Sequence, residues 1–164
     1  MSVWKFPDYV DTDQILPGTY LSINDSKELA NHIFENIKPE MAMQVKQGDI
    51  IVAGKYFGCG SSREHAVLAI KGSGVDCVIA ESFSRIFFRN AINLGLDIMC
   101  VDDVSHFCEG DHLEFDRIVR KIKNITSGYV CQYRSIPEFL ERIVQCGGLI
   151  PYAQKYLVKG GVLE

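Results

Sequence analysis

Short apolar runs alternate with helical periodicity through the middle of the chain. Two of the runs are continuous and bounded by polar or glycine residues, which is typical of strands covered on both faces. Each is followed by a helical pattern that ends at glycine, at Gly72 and Gly74 in the first case and at Gly95 in the second. The uninterrupted β-α-β-α-β order predicts parallel neighbouring strands. The predicted strands are Ile50–Ala53, Cys77–Ala80 and Leu96–Val101, and the helices between them are Arg63–Lys71 and Ser82–Leu94.

The two flanks have other patterns. Asp8–Tyr20 is rich in Asp, Pro, Gly and Thr and predicts a long ordered loop, after which Ser26 is the expected N-cap of a helix with Leu29, Ile33 and Phe34 on one face. Strand-like stretches and then helices are expected toward the C-terminus. Together these elements predict a layered α/β fold in which residues 1–164 form one domain. The C-terminal elements are strands His112–Phe115, Ile118–Ile122 and Tyr129–Tyr133 and helices Pro137–Val144 and Pro151–Leu157.

Composition narrows the class of protein. The 164 residues are 47% hydrophobic and carry 17 Lys and Arg against 21 Asp and Glu, a net charge of −4. This acidic balance argues against a nucleic-acid partner, because neutralising phosphates needs a basic surface. No apolar run approaches the roughly 20 residues that span a bilayer. The N-terminus also lacks the basic and apolar regions of a signal peptide, so we expect a cytoplasmic protein without a membrane partner.

The cysteines point to the same compartment. No pair has the C-x-x-C spacing of zinc or iron–sulfur sites, and secreted disulfide frameworks are denser in cysteine. We therefore expect free thiols in a reducing compartment and no metal site on this chain. The six cysteines are Cys59, Cys77, Cys100, Cys108, Cys131 and Cys146.

The glycine-rich turn after the first apolar strand is the segment with the clearest chemistry. Gly58 and Gly60 allow successive backbone N–H groups to point into one concavity at the start of a helix. Arg63 adds a forked donor suited to a carboxylate. The residue order matches neither G-x-x-x-x-G-K-[ST] nor G-x-G-x-x-G. The turn is therefore a candidate site for a carboxylate or another small anion.

A purely structural interpretation competes with anion binding here. Ser61 to Glu64 has the S-x-x-E order of a capping box, which needs no function. His65 is either an acid or base or a helix-face histidine with a local hydrogen bond. Cys59, at a helix start, would have a lowered pKa and could act as a nucleophile.

Two further clusters are ambiguous. Asp11 to Gln14 is either a cation site or a set of Asx-turn residues. Arg85 and Arg89 lie four residues apart on one helix face, and the apolar residues around them predict partial burial. A buried arginine must be paired, so we expect carboxylates from this domain, a partner or a substrate to meet them.

Three long motifs, taken together, resemble those of a known family. They occur in the same order as in the small subunits of 3-isopropylmalate dehydratase, which are swivelling domains of the aconitase superfamily, and the match runs from about Val3 to the C-terminus. The resemblance implies a layered β/β/α domain of the aconitase C-terminal type. The motifs are Asp11–Pro17, Tyr56–Ala66 and Ala80–Gly95.

The resemblance also implies a reaction and a division of labour. The expected activity interconverts 2-isopropylmalate and 3-isopropylmalate by dehydration and rehydration, in leucine biosynthesis. A [4Fe-4S] cluster, held by a separate large subunit in at least a heterodimer, takes the substrate hydroxyl and a carboxylate. Ser61 matches the catalytic base, and Ser62 and Arg63, with Gly60 beside them, match the substrate-binding positions. We therefore assign the Ser61 hydroxyl to catalysis and expect Ser62 to cap the helix.

Substrate choice is expected to depend on a loop formed by Tyr20, Leu21, Ser22 and Ile23. Relatives whose substrates have an extra carboxylate carry Tyr-Leu-Arg at this loop, whereas Ser22 occupies the arginine position here. Burying a third carboxylate without that partner would cost several kcal/mol. Together with Ile23, this favours the branched hydroxy-dicarboxylate isopropylmalate.

Other functions stay open at this stage. A 2,3-dimethylmalate dehydratase fits the same loop, and a homoaconitase-type enzyme is the alternative with a third carboxylate. A stand-alone anion-binding module would keep the fold without the chemistry. A self-sufficient enzyme using Cys59 would be active without a partner.

Overall fold

Two β-sheets and a layer of helices make up the chain, whose computed structural model describes residues 1–134 and 136–158. The strands are β1 Val3–Lys5, β2 Ile50–Ala53, β3 Cys77–Ala80, β4 Asp97–Cys100, β5 Leu113–Asp116, β6 Lys121–Asn124 and β7 Val130–Gln132. The helices are α1 Thr12–Ile15, α2 Ser26–Ala30, α3 Glu40–Gln44, α4 Glu64–Gly72, α5 Arg85–Leu94, α6 Glu138–Gln145 and α7 Leu149–Ala153. A 3₁₀ turn at Gly18–Tyr20 and a π-helical turn at Gln154–Val158 complete the set.

The central sheet is parallel, as the order of elements predicted. Its strands lie in the order β1-β2-β3-β4, and Ile51 pairs with Val78 in register. Strand β1 was missed by the sequence analysis because three residues are too few to show a period. It pairs with the edge of β2, where Trp4 lies opposite Ile51.

Alternate residues of this sheet enter two separate cores. Ile51 and Val78 face the helices, where the core includes Ile70 of α4. Ile50 and Ile79 point the other way, onto a core that includes residues of the second sheet. Strands covered on both faces have no polar side to alternate with, which is why they read as continuous apolar runs. The predicted β/β/α layering is confirmed.

The second sheet is antiparallel and differs in part from its prediction. Its order is β5-β6-β7, and the predicted strand Ile118–Ile122 begins only at Lys121. The Asp116 carboxylate accepts hydrogen bonds from the backbone N–H groups of Ile118 and Val119, which form a turn instead. Ile118 is 95% exposed, so its apolar character was a misleading strand signal.

The helical boundaries also required corrections. Asp25, not Ser26, caps α2, and the helix ends at Ala30 before Phe34, whose φ is +52°. Helix α5 begins at Arg85 with Ser84 as its cap and ends at Gly95 in the left-handed conformation, as expected for that glycine. Helix α3 was not predicted, since five residues show little periodicity.

Corrections at the two ends are smaller. The predicted loop Asp8–Tyr20 contains the short helix α1 and the 3₁₀ turn. The last predicted helix, Pro151–Leu157, begins earlier, at Leu149, and passes into the π-helical turn. In residues 1–134 and 136–158, no helix is long and apolar enough to cross a membrane.

Asp49 joins the N-terminal strand to the start of β2. Its buried carboxylate accepts hydrogen bonds from the backbone N–H of Ser2 at 3.0 Å, the Trp4 indole at 3.1 Å and the backbone N–H of Lys46 at 3.0 Å. Burial alone would raise the pKa of this carboxyl, but the hydrogen bonds outweigh it and hold the pKa below its usual value of 3.8.

Replacing Asp49 tests this junction. In Asp49→Asn an amide NH₂ replaces one carboxylate oxygen and faces former donors, so we expect a loss of about 2 kcal/mol in unfolding free energy at pH 7. A depressed folded-state pKa stabilises the protein above the unfolded value. The advantage of the wild type should therefore shrink as the pH falls below 3.8.

Urea denaturation across this pH range measures the effect. Asp25→Asn is the matched control, because asparagine also caps helices and should change stability by less than about 0.5 kcal/mol. Equal losses in the two variants at pH 7 would contradict the assigned role of Asp49.

Candidate active site

The glycine-rich turn leaves the carboxyl end of β2 and is built into the edge of the parallel sheet. Parallel bridges join Asp11 to Cys59 and Phe57 to Phe83, so the turn continues the sheet on both sides. Gly58 has φ +75°, and a Cβ there would collide with the buried Phe87 ring of α5. Only glycine therefore allows the turn to pack this closely on that helix.

The first and second motifs are held together by hydrogen bonds. The backbone N–H of Gly58 donates to the carbonyl of Val10 at 2.8 Å, and that of Thr12 donates to Cys59 at 2.9 Å. The buried Thr12 hydroxyl donates to the carbonyl of Ser61 at 3.0 Å. The position of Ser61 thus depends on a residue 49 positions away in the sequence.

The structure shows that the predicted capping role of Ser62 is wrong, and that the alternative capping box from Ser61 to Glu64 does not form. Helix α4 begins at Glu64, and its N-cap is Arg63, which makes no side-chain capping bond. Ser61 and Ser62 precede the cap, are exposed, and make no side-chain hydrogen bond within the described residues. Both hydroxyls are therefore available to a ligand.

Backbone donors accompany these hydroxyls. The N–H groups of Gly60, Ser61, Ser62 and Arg63 donate to no acceptor in the described part of the chain. Gly60 has φ +88°, which turns the backbone just before the serines. Successive unpaired N–H groups before a helix start form a setting that favours an anion.

Arg63 connects this turn to the first loop. Its side chain is only 16% exposed, and its guanidinium forms an ion pair with Asp13 and donates to the carbonyl of Leu16 at 3.4 Å. A Cβ on Gly18 would lie 3.3 Å from both terminal nitrogens of Arg63. The short loop thus places Gly18 directly against the arginine and fixes its orientation.

The expected specificity loop follows immediately. The Tyr20 ring stacks on His32 with centroids 3.8 Å apart, and its hydroxyl donates to Glu35 at 3.1 Å. Desolvation and the bond to Glu35 both raise the pKa of Tyr20. Leu21 and Ser22 are exposed, whereas Ile23 packs against the helical core. Tyr20 and Ile23 are therefore anchors, and the two residues between them face outward.

Asp11 has a structural role in this region. Its side chain accepts from the backbone N–H of Gln14 at 2.8 Å, and the Gln14 side chain accepts from the Asp11 N–H at 3.0 Å. This reciprocal pair is the capping box of α1. Within the described residues, no three His, Cys, Asp or Glu side chains come together in a way that could hold a metal ion.

Two predicted reactive groups differ from expectation. Cys59 precedes the start of α4 by several residues and gains nothing from its dipole; burial and the nearby Asp11 charge instead raise the pKa of the thiol. The interpretation of Cys59 as an activated nucleophile is therefore wrong. His65 is half-buried on α4 and makes no side-chain hydrogen bond to the described residues.

Arg85 and Arg89 are exposed, contrary to the predicted partial burial. The apolar residues around them turn inward, with Phe87 and Ile92 in the core, while the arginines occupy the opposite face of α5. Neither forms an ion pair with a described residue.

The roles of Thr12 and Asp13 were not predicted from the sequence. Both lie in the first motif, but their partners Ser61 and Arg63 are in the second, so no local spacing could show the contacts. The only available signal was that the two motifs occur together in one chain.

Comparisons with known proteins agree with this geometry. The family model of the aconitase C-terminal domain matches residues 39–99. A 3-isopropylmalate dehydratase small subunit from Methanosarcina acetivorans is 53% identical over 152 residues, covering 93% of this chain and 94% of the relative. An isopropylmalate/citramalate isomerase small subunit from Methanocaldococcus jannaschii is 50% identical over 158 residues, covering 96% of this chain and 94% of the relative.

A solved structure supports the same grouping. The crystal structure of a 3-isopropylmalate dehydratase from Methanocaldococcus jannaschii is 42% identical, has a TM-score of 0.92, and covers 96% of this chain and 93% of its own. The layered fold and its glycine-rich turn thus define an aconitase C-terminal domain. More specifically, the chain belongs to the family of 3-isopropylmalate dehydratase small subunits. The expected fold type and the expected hydro-lyase function of the isopropylmalate class are confirmed.

Thr12→Val tests the link between the two motifs. Valine keeps the shape but cannot donate to the Ser61 carbonyl, so we expect a loss of about 1 kcal/mol in unfolding free energy. Amide hydrogen exchange across 59–63 should accelerate, because the turn loses its anchor. Thr19→Val, at an exposed position of the 3₁₀ turn, is the control and should leave exchange in 59–63 unchanged. Unaltered exchange in Thr12→Val would show that the bond does not hold the turn.

Proposed function

We propose that this chain is the small subunit of a hydro-lyase that isomerises 2-isopropylmalate and 3-isopropylmalate, with Ser61 as the base. The observation that carries the proposal is the exposed Ser61 hydroxyl, which, like the N–H groups of the same turn, has no hydrogen-bond partner among the described residues, and which lies two residues before Arg63. Family membership supports the reaction class and the need for a large subunit.

The setting of Ser61 suits proton abstraction. A serine hydroxyl is a very weak base, so its alkoxide must be stabilised by donors that are already in place. The N–H groups from Gly60 to Arg63 and the start of α4 supply positive potential on this side of the turn. The alkoxide of Ser61 takes the proton from the substrate C–H, the electron pair of that bond forms the C=C double bond, and the C–O bond breaks so that hydroxide leaves, which the cluster of the large subunit would accept. Rehydration then adds hydroxide to the carbon that lost the proton, and Ser61 Oγ delivers its proton to the neighbouring carbon.

In this proposal a substrate carboxylate is held by Arg63, Ser62 and Gly60. The forked guanidinium can bind a carboxylate through two parallel hydrogen bonds. Asp13 and the Leu16 carbonyl occupy part of the donor set and fix the plane of the group. The remaining donors of the guanidinium, together with the Ser62 hydroxyl, would bind the substrate carboxylate.

The exposed part of the specificity loop favours an alkyl substituent. Leu21 is 39% exposed, whereas Ile23 packs on the core, so Leu21 is the side chain that would meet the isopropyl group. Ser22 offers no positive charge to a third carboxylate. These positions support isopropylmalate over homocitrate. Smaller branched malates, including dimethylmalate and the citramalate named for one relative, are the competing substrates.

The partner completes the site. We place the [4Fe-4S] cluster on the large subunit, where it would take up the substrate hydroxyl and one carboxylate. All six cysteines of this chain are free thiols. Free thiols are typical of a reducing compartment, so the proposal includes a cytoplasmic location.

The stand-alone anion-binding module is less well supported, because binding an anion needs no uncapped serine base. The raised pKa of Cys59 argues against the cysteine enzyme.

A reconstituted assay tests the function. The chain is mixed anaerobically with its large subunit and given isopropylmalate, dimethylmalate, citramalate and homocitrate in parallel. We expect turnover of isopropylmalate and none without the large subunit. Ser61→Ala should lower kcat by a factor of about 10³ or more while KM changes little, because the hydroxyl acts in proton transfer. Ser105→Ala, at an exposed serine outside the site, is the control.

The same assay can contradict the proposal. Turnover of none of the four substrates, with the cluster verified intact, would reject the hydro-lyase function. Full activity of Ser61→Ala would reject Ser61 as the base.

Ser22→Arg tests substrate selection. An arginine at this exposed position adds a partner for a third carboxylate, so kcat/KM for homocitrate relative to isopropylmalate should rise by about tenfold or more. Ser22→Gln, similar in length but uncharged, is the matched control. An unchanged ratio in the arginine variant would show that this position does not face the substrate.

A further inference from the structure

An open groove runs beside the candidate site along the N-terminal half of α5. It encloses about 860 Å³ and lies between the segment that follows β3, helix α5 and the start of α6. Its apolar lining comes from both sides, with Phe83 and Phe88 on one and Ile136 and Leu140 on the other. None of the steps proposed for Ser61 uses this groove.

The polar lining of the groove is predominantly positive. Arg85, Arg89 and Arg134 contribute to it, against the single carboxylate of Glu81. Arg134 is already engaged, since it donates to the Glu81 carbonyl at 3.1 Å and lies 3.3 Å from Asp102. Arg85 and Arg89 have no ion-pair partner within the described residues. The groove therefore presents two available guanidinium groups above an apolar floor, on a chain whose net charge is −4.

The groove is connected to the catalytic turn through two serines. The Ser82 side chain accepts from the backbone N–H of Tyr56 at 2.9 Å, and the Ser84 hydroxyl donates to the carbonyl of Gly58 at 2.5 Å. Phe83, between them, bridges to Phe57. The segment that lines the groove thus also supports the turn that carries Ser61.

We infer that this groove is the docking surface for a segment of the large subunit that carries carboxylate and apolar side chains. The inference rests on the proposed function, because it needs the large subunit as occupant. Charge complementarity selects carboxylates for Arg85 and Arg89, and the apolar floor selects a segment that also buries hydrophobic side chains. Its position beside the turn matches a subunit that must complete a site around Ser61.

Other occupants fit less well. A small hydroxy-dicarboxylate has too little apolar surface to cover a floor built from two phenylalanines and two aliphatic side chains. A second copy of this chain, with its net negative charge, is the remaining macromolecular candidate and is an outcome of the test.

The test measures association separately from catalysis. The affinity of the large subunit for the full chain is determined by anaerobic calorimetry for the wild type and for Arg85→Gln/Arg89→Gln. We expect the double variant to bind about tenfold or more weakly, with a shallower salt dependence. At saturating large subunit, its kcat and KM should match those of the wild type. Lys121→Gln/Lys123→Gln, which removes the same charge from exposed positions on the opposite layer, is the matched control.

Each result that contradicts the proposed docking surface can be recognised separately. Equal affinity of all three proteins would overturn the docking surface. A raised KM with unchanged affinity would assign the arginines to the substrate instead. Self-association of the wild-type chain in sedimentation, lost in the arginine variant while large-subunit binding persists, would assign the groove to a second copy. Failure of even the wild type to bind the large subunit would refute the proposed function itself and the inference with it.

Discussion

Because a parallel sheet must be covered on both faces, a ligand can reach it only at the edge where the strands end. Here the antiparallel sheet covers one face and the helices cover the other. At this edge the glycine-rich turn leaves the carboxyl end of β2, and the segment that supports it leaves the carboxyl end of β3. Ser61, Arg63 and the groove along α5 meet at one edge for this reason.

The contacts at that edge also explain why two distant motifs must occur together. The first loop contributes Thr12 to hold the Ser61 carbonyl and Asp13 to orient Arg63. The conformational entropy lost when this loop becomes ordered is offset by its own capping box and by anchors such as Tyr20. Under the proposed function, a substrate would therefore meet a guanidinium whose plane is already set, which would lower the entropy lost on binding.

Prediction succeeded where local pattern and tertiary burial agree. The four-residue apolar runs of β2 and β3 were recognised because they are too short for a buried helix and are bounded by polar or glycine residues. Gly95 ended α5 because it adopts the left-handed cap conformation. Prediction failed where a side chain far away, or a single hydrogen bond, decides the outcome. Asp116 turned the chain at an apolar Ile118, and Arg85 faced outward although Phe87, two residues further along, is a core residue. The candidate site residues were predicted from the resemblance to a known family, whereas the contacts between them became visible only in the structure.

The start of α4 shows how function departs from local stability. A serine at the N-cap position would satisfy an N–H of the first turn and typically stabilises a helix by about 1 kcal/mol. This chain has two serines within reach of that position and uses neither, because the cap is Arg63, which makes no capping bond. The forgone stabilisation leaves the Ser61 and Ser62 hydroxyls and the N–H groups around them without hydrogen-bond partners among the residues that the structure describes. A sequence that departs from its local optimum at one exposed turn indicates a binding site there, since a solely structural turn would have kept the cap.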